Sequence, residues 1–319
     1  MLKLEDGNLT REEVIEISKK TNMIPVTYDR MFKGVFMFNL EILKIFLIEV
    51  LELNLNPDEV IINPENGELP LEKYKEKLNI IDMYVTLNKD IHIDVEMNNK
   101  NFTSVMDARM HLYGSKLYTL LFERGDEEET FDNKILIQLD LNAKNNGIPY
   151  GEDVIVNYGT KTKQVYVKNV KRVIKYLAYY RNLYYNKNEK LNKSQLWLVA
   201  LSSENFVELY DILVQLLKPK EVDKFIRKVI NMSKDNFMLH EWEKEKMDQL
   251  KQRETIESIK IDIAEENFKL GVRQGIEQGT ETRDMQIVKA MLDNNYKDED
   301  IVSITGLSLE KINEIKKNK

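Results

Sequence analysis

The 319-residue chain contains no cysteine, which excludes disulfides, thiolate zinc sites and cysteine nucleophiles. Histidine is nearly as scarce: His92, His111 and His240 are the complete set. They leave little from which to build a multi-histidine metal site or a Ser-His-Asp triad. No apolar run approaches the roughly 20 residues that span a bilayer, and the longest candidate, FLIEVLEL, is broken by Glu49 and Glu52. The opening MLKLEDGNLTREEV lacks the apolar stretch of a signal peptide, so a cytoplasmic protein with no membrane partner is expected. What is present is charge: 32% of residues are charged against 42% hydrophobic, the profile of a soluble folded chain. Chemistry here would draw on carboxylates, amides, lysines and a hard metal ion. A net charge of −7 argues against indiscriminate nucleic-acid binding while leaving room for local basic patches.

Apolar residues at Phe32, Val35, Phe36, Ile42, Phe46 and Val50 recur at helical steps, and NPDE at 56–59 ends that pattern. EVIINPENGELP offers a short strand and a turn at Asn66-Gly67. Residues 78–87 and 91–98 read as two strands of a hairpin joined by NKD. A helix is expected over 104–124 with a stop at Arg124-Gly125, then strands over 134–141 and 152–158. From about residue 194 the periodicity is helical only. GVRQGIEQG sets Gly271, Gly275 and Gly279 on one face of a long charged helix. Two short helices should follow around TGLS, the second capped by Thr305 or Ser308. Three regions are expected: an α/β core over 1–190, a helical extension over 191–240, and a charged helix with a small helix-turn-helix-like tail over 241–319.

The hairpin carries the most informative residues. Along 91–98, Ile91, Ile93, Val95 and Met97 take one face; His92, Asp94, Glu96 and Asn98, with Lys100 beyond, take the other, toward solvent or a cleft. Asp82 interrupts an apolar strand, where a carboxylate is costly unless paired or metal-bound, and a turn near 88–90 sets it across from about residue 96. A divalent cation held by Asp82 and Glu96, completed by the Met97 carbonyl and water, would be a hard-metal site. Asn98 could orient a water but cannot act as a base. The plain alternative is a set of surface acids on a solvated sheet face.

The order of these pieces resembles the Rpn-type branch of the PD-(D/E)XK nuclease superfamily, the recombination-promoting nucleases also labelled transposases. YDRMFKGVF resembles the branch's Asp-x-x-Phe-Lys opening, at Asp29, Phe32 and Lys33. KLNIIDMYV resembles its first metal-binding aspartate, at Asp82, and IDVEMNN its Glu-x-Gln motif, at Glu96. ARMHLYGSKLY is similar to the helix that follows, with Arg109 and Tyr113; GVRQGIEQG and ITGLSLEKI are similar to the tail. The likeness runs from about residue 22 to the end. It implies a restriction-endonuclease-like mixed α/β sheet flanked by helices, followed by an all-helical C-terminal region. It implies a Mg²⁺-dependent (or Mn²⁺-dependent) DNA endonuclease, possible links to recombination, and a metal at Asp82 and Glu96. Asp29 and Lys33 would stand at the edge of the site. The chain departs from the branch at Asn98, where Gln is usual and the wider superfamily has Lys; the shorter amide could reduce activity, and Lys33 or Lys100 could contribute the charge.

Segment 160–193 is the basic stretch. Lys161, Lys163, Lys168, Lys171, Arg172, Lys175, Arg181, Lys187, Lys190 and Lys193 stand against Glu189, with six tyrosines interleaved. Such groups release counterions from phosphates and stack on bases, so this segment is the expected DNA surface; Arg109 and Tyr113, four apart on one helix face, fit further phosphate contacts or simple packing equally. The same pattern fits an amphipathic helix with its tyrosines buried. Two rival functions follow: a catalytically degenerate protein that binds DNA or a partner through its tail, and a homodimer assembled through the 240–285 helix.

Overall fold

The computed structural model describes residues 8–65, 82–99, 104–121, 133–144, 148–186 and 190–317. The expected turn at Asn66-Gly67, the strand start at 78–81, Lys100, the helix stop at Arg124-Gly125, and Lys187 with Glu189 lie outside the described residues. The chain divides into two compact units, the first running to Glu243 and the second starting at Lys244.

The first unit is α/β. Helices α1 (Arg11–Ser18), α2 (Asp29–Phe36) and α3 (Leu40–Val50) precede strands β1 (Ile62–Pro64), β2 (Met83–Leu87) and β3 (Ile91–Asn98). Helix α4 (Ser104–Leu120) follows, then β4 (Ile135–Asn142), β5 (Glu152–Tyr158) and β6 (Val165–Tyr176). Helices α5 (Leu177–Asn186), α6 (Lys193–Leu201), α7 (Phe206–Leu213) and α8 (Pro219–Lys234) complete it. The six strands form one mixed sheet in the order β1-β2-β3-β4-β6-β5. β3, β4 and β6 run parallel at its centre, and the outer pairings are antiparallel. A parallel β3–β4 pair needs a crossover connection, and α4 lies in it.

The strand alternation decides the layers. Ile93, Val95 and Met97 join Met83, Val85 and Leu87 of β2 and Ile137, Leu139 and Leu141 of β4 in one large core with α1–α3 and α5–α8. Phe36 is its hub: its ring centroid lies 5.0 Å from Phe32, 4.8 Å from Phe46, 6.5 Å from Trp197 and 5.6 Å from Phe225. Glu49 accepts the Trp197 indole N–H at 2.6 Å. On the opposite face Met110, Tyr113, Leu117 and Leu121 of α4 and its C-terminal end pack on Leu136.

One reading of the sequence differs from what the chain does: residues 165–176 form β6 rather than a helix, paired with β4 on one side and β5 on the other. Helices α6–α8 pack into the same core as the sheet.

Helix α9 (Asn236–Asp293) runs on into the second unit, where α10 (Asp298–Thr305) and α11 (Leu309–Lys317) bury Ile301, Ile312 and Ile315 with Val288. Gly306 takes the left-handed conformation (φ 70°) that ends α10. Ser308 Oγ accepts from the Lys311 N–H at 3.3 Å and caps α11. From Lys251 to Thr280 every described side chain is exposed. No helix among the described residues is long and apolar enough to cross a membrane.

Because Trp197, Phe206 and Phe225 are fully buried, a chain shortened to end at residue 190 should lose cooperative unfolding, whereas one ending at residue 243 should keep it. Trp197→Ala in the full chain should cost about 3–5 kcal/mol in a urea titration. A cooperative transition in the 190-residue chain would overturn this view of the core.

Candidate active site

β2 and β3 pair with Met83 opposite Val95 and Leu87 opposite Ile91, and the same register carries Asp82 opposite Glu96. The two acids are laced together through the backbone. The Asp82 N–H donates to Glu96 Oε1 at 3.1 Å, and the Met97 N–H donates to Asp82 Oδ2 at 2.9 Å. Helix α2 begins at Asp29, an acid at the positive end of the helix dipole, and one turn later presents Lys33. The Lys33 ammonium lies 2.9 Å from Asp82 Oδ1 and 3.1 Å from Asp29 Oδ1. From α4, Arg109 Nη2 approaches Glu96 Oε2 at 3.7 Å, and its guanidinium sits 5.5 Å from the centroid of the Tyr113 ring. Asp29, Lys33, Asp82, Glu96, Met97, Arg109 and Tyr113 therefore converge. Asn98 follows Glu96 on the same strand face and pairs with Asn142 of β4 in the ladder.

The polar face of β3 does not look out to solvent: α4 covers it, and Asp94 is fully buried with Glu96 nearly so. Parallel register sets Asp94 beside Gln138 and Glu96 beside Asp140. The Gln138 amide donates to Asp94 Oδ2 at 3.1 Å and to the Met110 carbonyl at 2.9 Å. Gly114 permits this approach, since a Cβ there would stand 2.2 Å from Gln138 Oε1. Arg172 joins Asp140 Oδ2 at 2.9 Å to Asp107 Oδ1 at 2.6 Å. Among the described residues the buried Asp94 Oδ1 and Asp140 Oδ1 find no hydrogen-bond partner. Asp94's burial, Asp107, Gln138 and Asp140 were not foreseen. The alternation in KILIQLDL, aligned in parallel with IHIDVEMN, was the signal that would have found the last two.

The basic segment is not one surface. Arg172 is buried in its two ion pairs, and Lys175 is buried against Glu152. Arg181 is clasped by Glu204 and Glu208 at 3.3 and 3.4 Å. None of these three is turned outward as a phosphate contact would be. Lys171 lines a cleft of about 210 Å³ between α4 and the β5–β6 pair. Lys161, Lys163 and Lys168 are exposed. Ile174 of β6 is the neighbour of Asp140 in the ladder. At about 3.3 Å per strand residue, the five steps of β5 from Asp153, partner of Ile174, to Tyr158 set the start of the turn bearing Lys161 and Lys163 roughly 17 Å along the sheet from the Asp82–Glu96 row.

Crowding raises the affinity of these acids for protons. Burial, then the Asp82 and Asp94 charges, pushes Glu96 up to about 9. Burial above all, reinforced by Asp82 and Asp140, pushes Asp94 up to about 7. Asp82 is raised by burial and by Asp29, with Lys33 and the Met97 N–H opposing. Burial alone would lower the Lys33 ammonium, but Asp82 and Asp29 override it and its pKa is raised.

Among the described residues no three histidine or carboxylate side chains form a metal cage. The donors at Asp82 and Glu96 are nonetheless hard oxygens with excess negative charge around them, the chemistry that suits Mg²⁺ or Mn²⁺. The remaining positions would fall to water or a substrate oxygen. The chain finds no match among protein-family models, curated proteins or solved structures.

The Glu96 shift has a sign that can be checked. The folded chain keeps a proton that the unfolded chain releases near the ordinary value of 4.5. Its contribution to stability is therefore full below that pH and lost as pH rises toward 9. Glu96→Gln keeps the size and removes the titration, so the variant should lose less stability than the native chain between pH 5 and pH 8.5 in urea titrations. Equal losses would show that Glu96 is not the group responsible.

Proposed function

We propose that this chain is a metal-dependent DNA endonuclease of the PD-(D/E)XK type, built on a restriction-endonuclease-like core. The observation that carries the reading is the Asp82–Glu96 pair. Two carboxylates lie opposite each other at the end of adjacent strands, laced by backbone N–H groups, with a lysine on one and an arginine on the other. Asp82 and Glu96 would hold Mg²⁺, which when bound supplies Lewis-acid stabilisation of phosphoryl charge and a more acidic water.

The chain's own groups divide the remaining work. Lys33, with its raised pKa, stays cationic at neutral pH; it fixes Asp82 and offers positive charge to a non-bridging phosphate oxygen. It thereby takes the cationic part that Asn98 cannot play. Asn98, on the same strand face as Glu96, orients a water by hydrogen bonding and accepts no proton from it. Arg109 is half exposed and can turn from Glu96 to a phosphate without leaving α4. Tyr113 is buried and supports the guanidinium from below. Asp29, 3.1 Å from the Lys33 ammonium, holds it from within α2.

A supercoiled plasmid incubated with purified protein and Mg²⁺, Mn²⁺ or chelator tests this. Nicking should require the metal and fall at least ~100-fold, about 2.7 kcal/mol of barrier, in both Asp82→Asn and Glu96→Gln. Lys33→Ala should reduce the rate while leaving DNA affinity nearly unchanged. DNA binding that is indifferent to metal, with no cleavage by any form, would replace the nuclease with a DNA-binding protein.

A further inference from the structure

Among the described residues β5 forms one edge of the sheet, bordered on one side by β6. All seven of its residues, Glu152–Tyr158, are exposed, with Ile155, Val156 and Asn157 also lining the cleft shared with α4. An edge strand offers a row of backbone N–H and C=O groups to any accessible strand, and folded proteins usually guard such rows with charge. Here charge guards only Glu152 and Asp153. Val154, Ile155 and Val156 follow, 45%, 46% and 36% exposed. The other edge, β1, is only three residues long. The irregular pairing of β5 with β6 does not blunt the edge. Two steps on β5, Ile155 to Asn157, match five on β6, Arg172 to Val167, so the extra residues belong to β6 and β5 runs on unbroken.

We infer that β5 is a homodimer interface in which two copies pair antiparallel about a two-fold axis at Ile155. In that register Glu152 faces the partner's Tyr158, Asp153 faces Asn157, and Val154 faces Val156, with Ile155 facing itself. Every residue of the strand is paired and no acid meets an acid. A parallel pairing would set Glu152 and Asp153 against their own copies, a repulsive arrangement. Antiparallel shifts of two residues set the acids opposite Val156 and Ile155, or leave them beyond the paired stretch. The turn after β5 supplies the complementary charge. Lys161 and Lys163 are exposed there, and the Lys163 amine lies 5.8 Å from the centroid of the Tyr158 ring. The two-fold brings that amine beside the partner's Glu152 and Asp153. Lys161 and Lys163, far from the acidic row, are thus given the second copy's acids as their target.

The absence of native cysteine makes the register directly readable. Under mild oxidation Ile155→Cys should link to itself. Asp153→Cys and Asn157→Cys should link when mixed and largely fail to link alone. Phe38→Cys, 77% exposed and off this edge, should not link. Light scattering after gel filtration should give a dimer for the native chain and its loss in Ile155→Lys, which sets like charges at the axis. A native chain that stays monomeric at its highest soluble concentration would overturn the proposal. So would a dimer that survives Ile155→Lys while Ile155→Cys stays unlinked, as one made through the 240–285 helix would.

Discussion

The constraint on which the first unit depends is a polar layer closed between α4 and the sheet. Asp94, Glu96, Gln138, Asp140 and Arg172 are all removed from water there, where an uncompensated charge is costly. Arg172 answers Asp140, and Gln138 answers one oxygen of Asp94. Lys33 and Arg109 reach in from the rim. Negative charge still exceeds positive, and burial with mutual repulsion raises Asp94 and Glu96 toward the protonated form. The candidate site is the edge of this layer beside α2, where Lys33 and Arg109 meet Asp82 and Glu96.

How much of this was legible can be judged residue by residue. Alternation along 91–98 placed the acids on one strand face, and counting from the turn put Asp82 across from Glu96, because both depend on local spacing alone. That Asp94 is sealed in was not legible. Its cover comes from Met110, Tyr113 and Leu117 on a helix whose docking is a long-range matter. β6 was hidden for a related reason: Arg172 and Lys175 read as phosphate contacts until their acids, Asp107, Asp140 and Glu152, arrive from other elements. Charge in a sequence is visible, but its partner across the fold is not.

The helices after residue 190, expected as a helical extension, close on the sheet's core: Trp197, Phe206 and Phe225 meet Phe36 and Phe46 around a common centre. α2 thus stands between two duties. Its apolar side anchors the helical half of the core through Phe32 and Phe36, and its polar side delivers Lys33 to Asp82. Small shifts in the packing of α6 or α8 would be felt at the lysine, since Phe36 touches both Trp197 and Phe225.

The loop between β2 and β3 holds Asn88 and Lys89 at φ 53° and 67°, a conformation L-residues adopt at a cost of about 1–2 kcal/mol each. Asn88 offsets part of that by exchanging hydrogen bonds with Ile61: its N–H donates to the Ile61 carbonyl, and its Oδ1 accepts the Ile61 N–H. This small clasp acts as the counter that sets strand parity. Five residues separate Asp82 from Asn88 and five separate Asp90 from Glu96, so the acids meet only while the loop keeps its length. One residue inserted or deleted there would turn Glu96 toward the oily side of the sheet. The chemistry of the row is therefore written partly in the length of a loop that touches none of it.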